Sequence, residues 1–114
     1  MAQLVSVISQ AGPLPIKATA TIESDAPTVV TLAGSVWSAD EDYLVGVILS
    51  IDGNQVADAP IFANSGSMHL AVVPATFTYT FPWTENQEHV FELDKLTGET
   101  MADANDYFNV TVQY

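Results

Sequence analysis

The sequence has no cysteine and no arginine, and apart from two histidines its only basic side chains are Lys17 and Lys95. Without cysteine, neither a disulfide bond nor a thiolate metal site can form. The sequence contains 14 acidic residues against these two lysines, so the formal net charge is −12. Phosphate and sulfate groups bind mainly through lysine and arginine, so this acidic protein is not expected to bind nucleic acid, anionic membranes or sulfated glycans. Cations, neutral glycans and basic protein surfaces stay open as partners, although solubility alone is the simplest reason for the acidity.

Long hydrophobic runs are also missing, and no stretch has the roughly 20 apolar residues that a membrane-spanning helix needs. The first residues, MAQLVSVISQAGPLPIKA, contain no basic segment, and their apolar stretch LVSVIS is short and interrupted. We therefore predict neither a signal peptide nor membrane insertion. The native compartment is left open between the cytoplasm, export by another route and association with a particle such as a phage.

Helical periodicity is nearly absent, whereas alternation of apolar and polar residues is common. A period of two is typical of a strand with one face in a core and the other in water. Seven or eight strands are predicted, at residues 16–23, 28–37, 43–51, 55–63, 68–73, 75–81, 89–96 and 107–114. Strands at this spacing, joined by turn-rich links, predict an all-β fold: an antiparallel, jelly-roll-like β-sandwich in which residues 1–114 form a single domain.

Three local signals refine this prediction. Asp52-Gly53 between two apolar runs is a strong hairpin signal. Pro60 cannot donate a hydrogen bond, so the strand that contains it should lie at a sheet edge or carry a bulge. The nearly continuous apolar run of residues 43–51 favours a central strand or a subunit contact.

The segments GSVW, YLVGVILSIDGNQVADAPIFANSGSMHLAVVPATF and DANDYFNVTVQY resemble a group of small bacterial jelly-roll proteins, over roughly residues 30–114. The overall architecture is similar to that of tumour necrosis factor and complement-type globular domains. This resemblance implies a compact jelly roll that assembles as a homotrimer and binds ligands without catalysis. It implies no role for any individual residue, because the shared motifs are strand-forming.

An acidic loop near the end of the chain is a candidate calcium site. Glu99, Asp103, Asn105 and Asp106 supply the carboxylate and amide oxygens that calcium prefers, and the acids of residues 40–42 could complete the shell if the two loops meet. The spacing of a helix–loop–helix calcium loop is absent, however. Turn formation, in which a side chain hydrogen-bonds to its own backbone before the last strand, is the commoner explanation. No cofactor other than calcium is predicted.

Trp83 lies in a loop, within the sequence FPWTENQ, and is the candidate for ligand binding. An exposed indole ring can stack on a sugar, and the amides of Asn86 and Gln87 can hydrogen-bond to sugar hydroxyls. The alternative is that Trp83 folds back over the end of the core. Trp37, at the end of a strand, is expected to lie in the core.

The two histidines, His69 and His89, lie in or next to apolar strands and are interpreted as structural, because zinc would need a third protein ligand without any supporting spacing. No nucleophile motif or phosphate-binding loop is present. The sequence therefore predicts a non-enzymatic, lectin-like module that binds a neutral carbohydrate as a homo-oligomer. The alternative is a structural protein such as a phage or surface-layer subunit, and a metal-dependent enzyme is the least favoured class.

Overall fold

The computed structural model describes residues 3–114, so the first two residues of the predicted domain lie outside the described part of the chain. The described chain is built from β-strands, with one short 3₁₀ turn at Glu85–Gln87. The strands are β1 (Leu4–Ala11), β2 (Ile16–Thr21), β3 (Thr28–Val36), β4 (Tyr43–Ile51), β5 (Asn54–Ala63), β6 (Leu70–Ala71), β7 (Ala75–Tyr79), β8 (Glu88–Lys95) and β9 (Tyr107–Gln113).

The strands form two antiparallel sheets that face each other. One sheet has the order β1-β9-β3, with β6 and β7 both paired to β3, and the other has the order β2-β8-β4-β5. Residues 72–74 interrupt the strand position next to β3, because Pro74 has no N–H to donate to the ladder. If β6 and β7 are counted as one interrupted strand, each sheet has four strands in the order of a jelly roll. The predicted fold class is confirmed.

The core lies between the sheets and follows the predicted alternation. On β9, Phe108, Val110 and Val112 are buried, and on β8 Phe91 and Leu93 point into the same layer. Burying each large apolar side chain contributes about 1.5 to 3 kcal/mol, so the inward face of every long strand stabilises the sandwich. The side chains that alternate with them point to water or to the sheet edges.

Three local predictions are confirmed by the backbone and the strand order. Asp52 and Gly53 join β4 to β5 with φ angles of 53° and 85°, the left-handed pair that a type I′ hairpin turn requires and that glycine adopts without steric cost. The strand that contains Pro60 is β5, at the edge of its sheet. The apolar run of residues 43–51 forms β4, inside the same sheet between β8 and β5.

One strand of the structure, β1, was not among the strands predicted from the sequence. β1 pairs with β9 along most of its length, but the register shifts between Ser6 and Ile8. This irregularity breaks the alternation of its side chains, and only Ile8 within it is buried. A strand with a bulge and several exposed apolar residues has no clear period, so its pattern was ambiguous.

The aromatic side chains on and after β7 pack against the core: Phe77 and Tyr79 are half-buried and Phe81 is buried. An apolar pair does remain on the outside of the other sheet, where Leu44 on β4 lies opposite Phe62 on β5. These side chains are 48% and 50% exposed.

Within residues 3–114, no helix has the length and apolar character needed to cross a bilayer.

Candidate functional site

A groove with a volume of about 70 Å³ lies at one end of the sandwich, where the segment after β2 meets the segment between β7 and β8. This volume is well below the roughly 300 to 1,000 Å³ of small-molecule sites, so the groove can hold only one part of a ligand. Its walls combine apolar, hydroxyl, amide, carboxylate and imidazole groups. They are formed by Ile22, Ser24, Asp25, Phe81, Pro82, Trp83, Thr84, Gln87 and His89.

Trp83 is the most exposed large apolar side chain among the described residues, with 87% of its surface open to solvent. It therefore does not fold back over the core. Pro82 precedes it and the 3₁₀ turn Glu85–Gln87 follows, so Trp83 has no strand neighbour to cover it. The prediction that Trp83 is an exposed loop residue agrees with this placement.

The turn beside Trp83 has an unusual backbone. Asn86 and Gln87 have φ angles of 61° and 55°, a left-handed conformation that costs a residue with a Cβ about 1 kcal/mol or more. The backbone of Gln87 holds the turn in place, because its N–H donates to the Thr84 carbonyl and its own carbonyl accepts from the Ile22 N–H, at 3.1 and 3.0 Å. Gln87 lines the groove, whereas Asn86 does not. Of the predicted ligand-binding residues, the structure therefore brings Trp83 and Gln87 together.

His89 lies in the wall of the groove but is only 2% exposed. It begins the inward series that continues with Phe91 on β8, and its ring packs against Phe81 with centroids 4.7 Å apart. Its Nδ1 is 2.7 Å from Oδ2 of Asp52, in the hairpin turn between β4 and β5. The other oxygen of Asp52 accepts the Val90 N–H at 2.9 Å, which fixes the carboxylate against β8.

The Asp52 carboxylate also influences a neighbouring aromatic side chain. Burial, together with the negative charge of Asp52, raises the pKa of Tyr79 above the ordinary value for a phenol. Tyr79 therefore stays a neutral phenol at physiological pH. Its ring is in edge contact with Phe81, at 4.8 Å between centroids, so the aromatic layer continues from the groove wall into the core.

A second histidine–aspartate pair joins β3, β6 and the loop before β9. Asp106 is fully buried and accepts three hydrogen bonds. Ser35 Oγ and His69 Nδ1 donate to Oδ1 at 2.8 and 2.7 Å, and the Asp103 N–H donates to Oδ2 at 2.9 Å. Asp106 therefore connects the loop before β9 to β3 and to the segment directly before β6.

The charge of His69 follows from these contacts. The hydrogen bond to Asp106 raises the pKa of His69, partial desolvation opposes this shift, and the negative charges of Asp106 and Asp103 add to the increase. Its ring also lies beside the Trp37 indole, with centroids 5.7 Å apart. The Trp37 Nε1 atom is buried and has no hydrogen-bond partner among the described residues. Trp37 was predicted to lie in the core, but it is half-buried and is not part of the core cluster.

The predicted calcium ligands are only partly brought together. One ligand atom from each of Asp103, Asp106 and His69 lies within 4.8 Å of the others, and among residues 3–114 Glu99 and the acids of residues 40–42 are not in this group. The Asn105 N–H donates to Asp103 Oδ1 at 2.8 Å, which is the local turn bonding given above as the alternative. The calcium site stays a prediction.

Sequence reasoning treated both histidines as structural but did not identify their partners. A signal for two of the buried polar residues was present, however. His89 has the same alternation as Phe91 and Leu93, and Asp106 has the same alternation as Phe108, so both should point inward. Asp106 was instead assigned to the acidic loop before the last strand, as a calcium ligand or a turn residue.

Comparisons with known proteins were made for the sequence and for the fold. No protein-family model and no curated protein sequence matches the chain. One similar solved structure is the EclA C-terminal domain, described as a sugar-binding protein, with 14% identity over 98% of this chain and 78% of that chain, and a TM-score of 0.48. Another is the CBM36-1 domain of a multidomain xylanase from the hindgut metagenome of Trinervitermes trinervoides, with 16% identity over 99% of this chain and 94% of that chain, and a TM-score of 0.45. The trimeric, tumour-necrosis-factor-like resemblance is not confirmed, and similarity at this level does not transfer a ligand.

Proposed function

We propose that this protein is a carbohydrate-binding module that binds part of a neutral glycan in the groove beside Trp83. The observation that supports the proposal is a tryptophan that is 87% exposed at the margin of a groove with hydroxyl, amide, carboxylate and imidazole walls. A sugar ring has apolar C–H faces and an equatorial belt of hydroxyls, so it needs this combination of an aromatic surface and hydrogen-bonding groups. The proposal is for recognition, and it invokes no catalytic step.

The charge of the protein favours a neutral glycan over an acidic one. The formal net charge is −12, and the groove itself contains the Asp25 carboxylate. A uronic acid or a sulfated sugar would be repelled both by the whole surface and by this local charge. The hydroxyls of a neutral sugar, in contrast, can donate hydrogen bonds to Asp25 and can exchange them with the Gln87 amide.

Trp83 is expected to carry most of the binding energy. Aromatic residues of this kind behave as binding hot spots, for which truncation to alanine costs about 2 kcal/mol or more. A loss of that size raises Kd by roughly thirtyfold at 1.4 kcal/mol per factor of ten. Because the side chain contacts little of the core, the same substitution should change the free energy of unfolding by less than about 0.5 kcal/mol.

Isothermal titration of the protein with soluble cello-, xylo-, manno- and malto-oligosaccharides tests the proposal. We expect at least one of these to bind, Trp83→Ala to abolish the signal and Trp83→Phe to retain part of it. Exchanging Val29, an exposed apolar residue on β3, for alanine provides the matched control for the loss of exposed apolar surface. A flat titration with every sugar, or equal affinities for the wild type and Trp83→Ala, would count against carbohydrate binding at this groove.

Self-assembly is a second candidate function, and the exposed Leu44–Phe62 pair favours it. These two side chains lie opposite each other on the outer face of a sheet, next to its edge strand β5. An apolar cross-strand pair at an edge is a common contact between protein copies. A structural subunit, such as one of a phage or a surface layer, would form extended and concentration-dependent assemblies, whereas a lectin-like module would form a monomer or a closed homotrimer. Sedimentation analysis of the wild type and of a Leu44→Thr, Phe62→Thr variant distinguishes these outcomes.

A further inference from the structure

We propose that Asp52 and His89 together form a fixed hydrogen-bond acceptor, the Nε2 atom of His89, that binds one hydroxyl group of the carbohydrate in the groove. This inference rests on the proposed function and assigns a specific role within the same site. Its starting point is the contact between Asp52 Oδ2 and His89 Nδ1, at 2.7 Å. An ionised carboxylate can only accept a hydrogen bond, so the proton of the neutral imidazole must lie on Nδ1. Nε2 is then left with an unshared electron pair.

Among residues 3–114, no good donor reaches this electron pair. The contact recorded for Nε2 among the described residues is with Thr84 Oγ1, at 3.5 Å, and is too long to be a good hydrogen bond. The hydroxyl proton of Thr84 is already used, because Oγ1 donates to the Glu88 carbonyl at 2.7 Å. The side chain of His89 is 2% exposed, so in this tautomer Nε2 is an acceptor without a good donor on a buried side chain, which is costly in a folded protein and needs a reason.

The position of His89 provides that reason. His89 lines the same groove as Trp83 and Thr84, although it is 2% exposed. A sugar that stacks on the indole would bring its hydroxyls toward the groove wall, where Nε2 can accept from one of them. A hydroxyl that donates to a buried acceptor is recognised strongly, because a ligand without it leaves the acceptor unpaired.

The pair is also held rigidly, which a specific acceptor requires. The Val90 N–H donates to Asp52 Oδ1 at 2.9 Å, and the Asp52 N–H donates to the Val90 carbonyl at 2.8 Å. The ring of His89 is packed against Phe81. Neither side chain can turn without breaking these contacts, so Nε2 keeps its direction before a ligand arrives and loses little entropy on binding.

Asp52→Asn should turn the Nε2 atom of His89 from a hydrogen-bond acceptor into a donor, with little change in the shape of the side chain at position 52. The amide oxygen can still accept from Val90, while the amide nitrogen takes the place of Oδ2 and donates to Nδ1. The proton of the neutral imidazole must then move to Nε2, which becomes a donor. Asparagine also tolerates the left-handed backbone of this position, where φ is 53°, so the hairpin turn is expected to form.

The test uses the oligosaccharide that binds best in the titrations above, together with analogues in which single hydroxyls are replaced by hydrogen or by fluorine. In the wild type, one position should lose about tenfold in affinity with either replacement, since neither group can donate to Nε2. In His89→Phe, the deoxy analogue and the parent sugar should bind equally at that position. In Asp52→Asn, the fluorine analogue should bind better than the deoxy analogue, because fluorine can accept from Nε2–H.

Nitrogen-15 chemical shifts of His89 in the free protein provide an independent readout of where the proton lies. We expect it on Nδ1 in the wild type and on Nε2 in Asp52→Asn, and this second variant keeps the test valid if His89→Phe does not fold. His69→Gln, at the other histidine–aspartate pair, is the matched control and should bind like the wild type. A wild-type proton on Nε2, or a hydroxyl preference that is unchanged in His89→Phe while Trp83→Ala still loses binding, overturns this inference alone. Failure of every sugar to bind overturns the proposed function together with it.

Discussion

Two histidine–aspartate pairs occur in this small sandwich, and their contacts have the same length. In each pair Nδ1 of the histidine lies 2.7 Å from a carboxylate oxygen. The burial of the partners is reversed, however. His69 is 37% exposed and its partner Asp106 is fully buried, whereas His89 is 2% exposed and the side chain of its partner Asp52 is 25% exposed.

The difference separates a structural pair from a pair that can serve a ligand. Asp106 accepts from a serine, a histidine and a backbone N–H, so its hydrogen-bonding capacity is used within the fold. At the other pair the histidine is the buried partner, and its second nitrogen has no good protein partner. Identical contacts therefore have different consequences, because only at the His89 pair is a histidine nitrogen that lines the groove left without a good protein partner.

The largest difference between the two pairs should be the loss in the free energy of unfolding when each carboxylate is removed. Asp106→Ala would remove a fully buried carboxylate and leave Ser35, His69 and the Asp103 N–H without an acceptor in a partly buried place, and we expect a loss of about 3 kcal/mol in the free energy of unfolding. Asp52→Ala should cost only about 1 to 2 kcal/mol, because water can reach the position of the partly exposed carboxylate. Urea denaturation of both variants measures the two losses. Equal losses would show that Asp106 is no more structural than Asp52.

The stability contributed by the His69–Asp106 pair should depend on pH. Because the folded-state pKa of His69 is raised, the contribution is complete below the unfolded-state pKa of about 6.5 and is lost as the pH rises through the higher folded-state value. The charged groups facing the imidazole are Asp106 and Asp103, and the Trp37 ring packs beside it. The difference in unfolding free energy between the wild type and His69→Gln should therefore decrease from about pH 6 to about pH 9.

Urea denaturation at several pH values measures this difference, and comparison with the variant cancels the titration of the many shared carboxylates. Asp25→Asn, which removes an exposed charge in the groove beside Trp83, is the control for a general change of net charge. A difference that stays constant or increases with pH would contradict a raised pKa for His69.

The two pairs also show which features a sequence can predict. Alternation, apolar runs and turn signals predicted seven or eight of the strands, because burying one face of a strand imposes a period of two. The loop position of Trp83 was predicted for a similar local reason, since Pro82 and the polar residues after it disfavour a strand, but its exposure was left open. In contrast, His69 is 37 residues from Asp106 and His89 is 37 residues from Asp52, so only the strand order brings each pair together. Partners at such separations depend on topology, which the local pattern does not contain.

The backbone next to the groove should store strain that a glycine would release. Gln87 has a left-handed φ of 55°, and Gln87→Gly should raise the free energy of unfolding by about 0.5 to 1 kcal/mol while it weakens sugar binding. Ser67, near the other pair, has a φ of 61° and provides the matched substitution, Ser67→Gly. Both variants should be more stable, but only Gln87→Gly should lose affinity. A loss of affinity in Ser67→Gly would mean that the ligand site is not confined to the groove.

Calcium is expected to have the smallest effect, because the structural pair leaves few free oxygens. Calcium takes six to eight oxygen ligands, but Oδ1 of Asp106 already accepts two hydrogen bonds and Oδ2 accepts one. The raised pKa of His69 also favours an imidazolium beside these carboxylates, and its positive charge opposes a cation. We expect millimolar calcium or a chelator to shift the midpoint of thermal unfolding by less than about 1 °C, well under the roughly 4 °C that 1 kcal/mol produces in a domain of this size. His69→Gln sharpens the measurement, because it removes the competing positive charge. A calcium-dependent increase of several degrees that disappears in Asp103→Asn would instead support the predicted metal site and would place it at the structural pair.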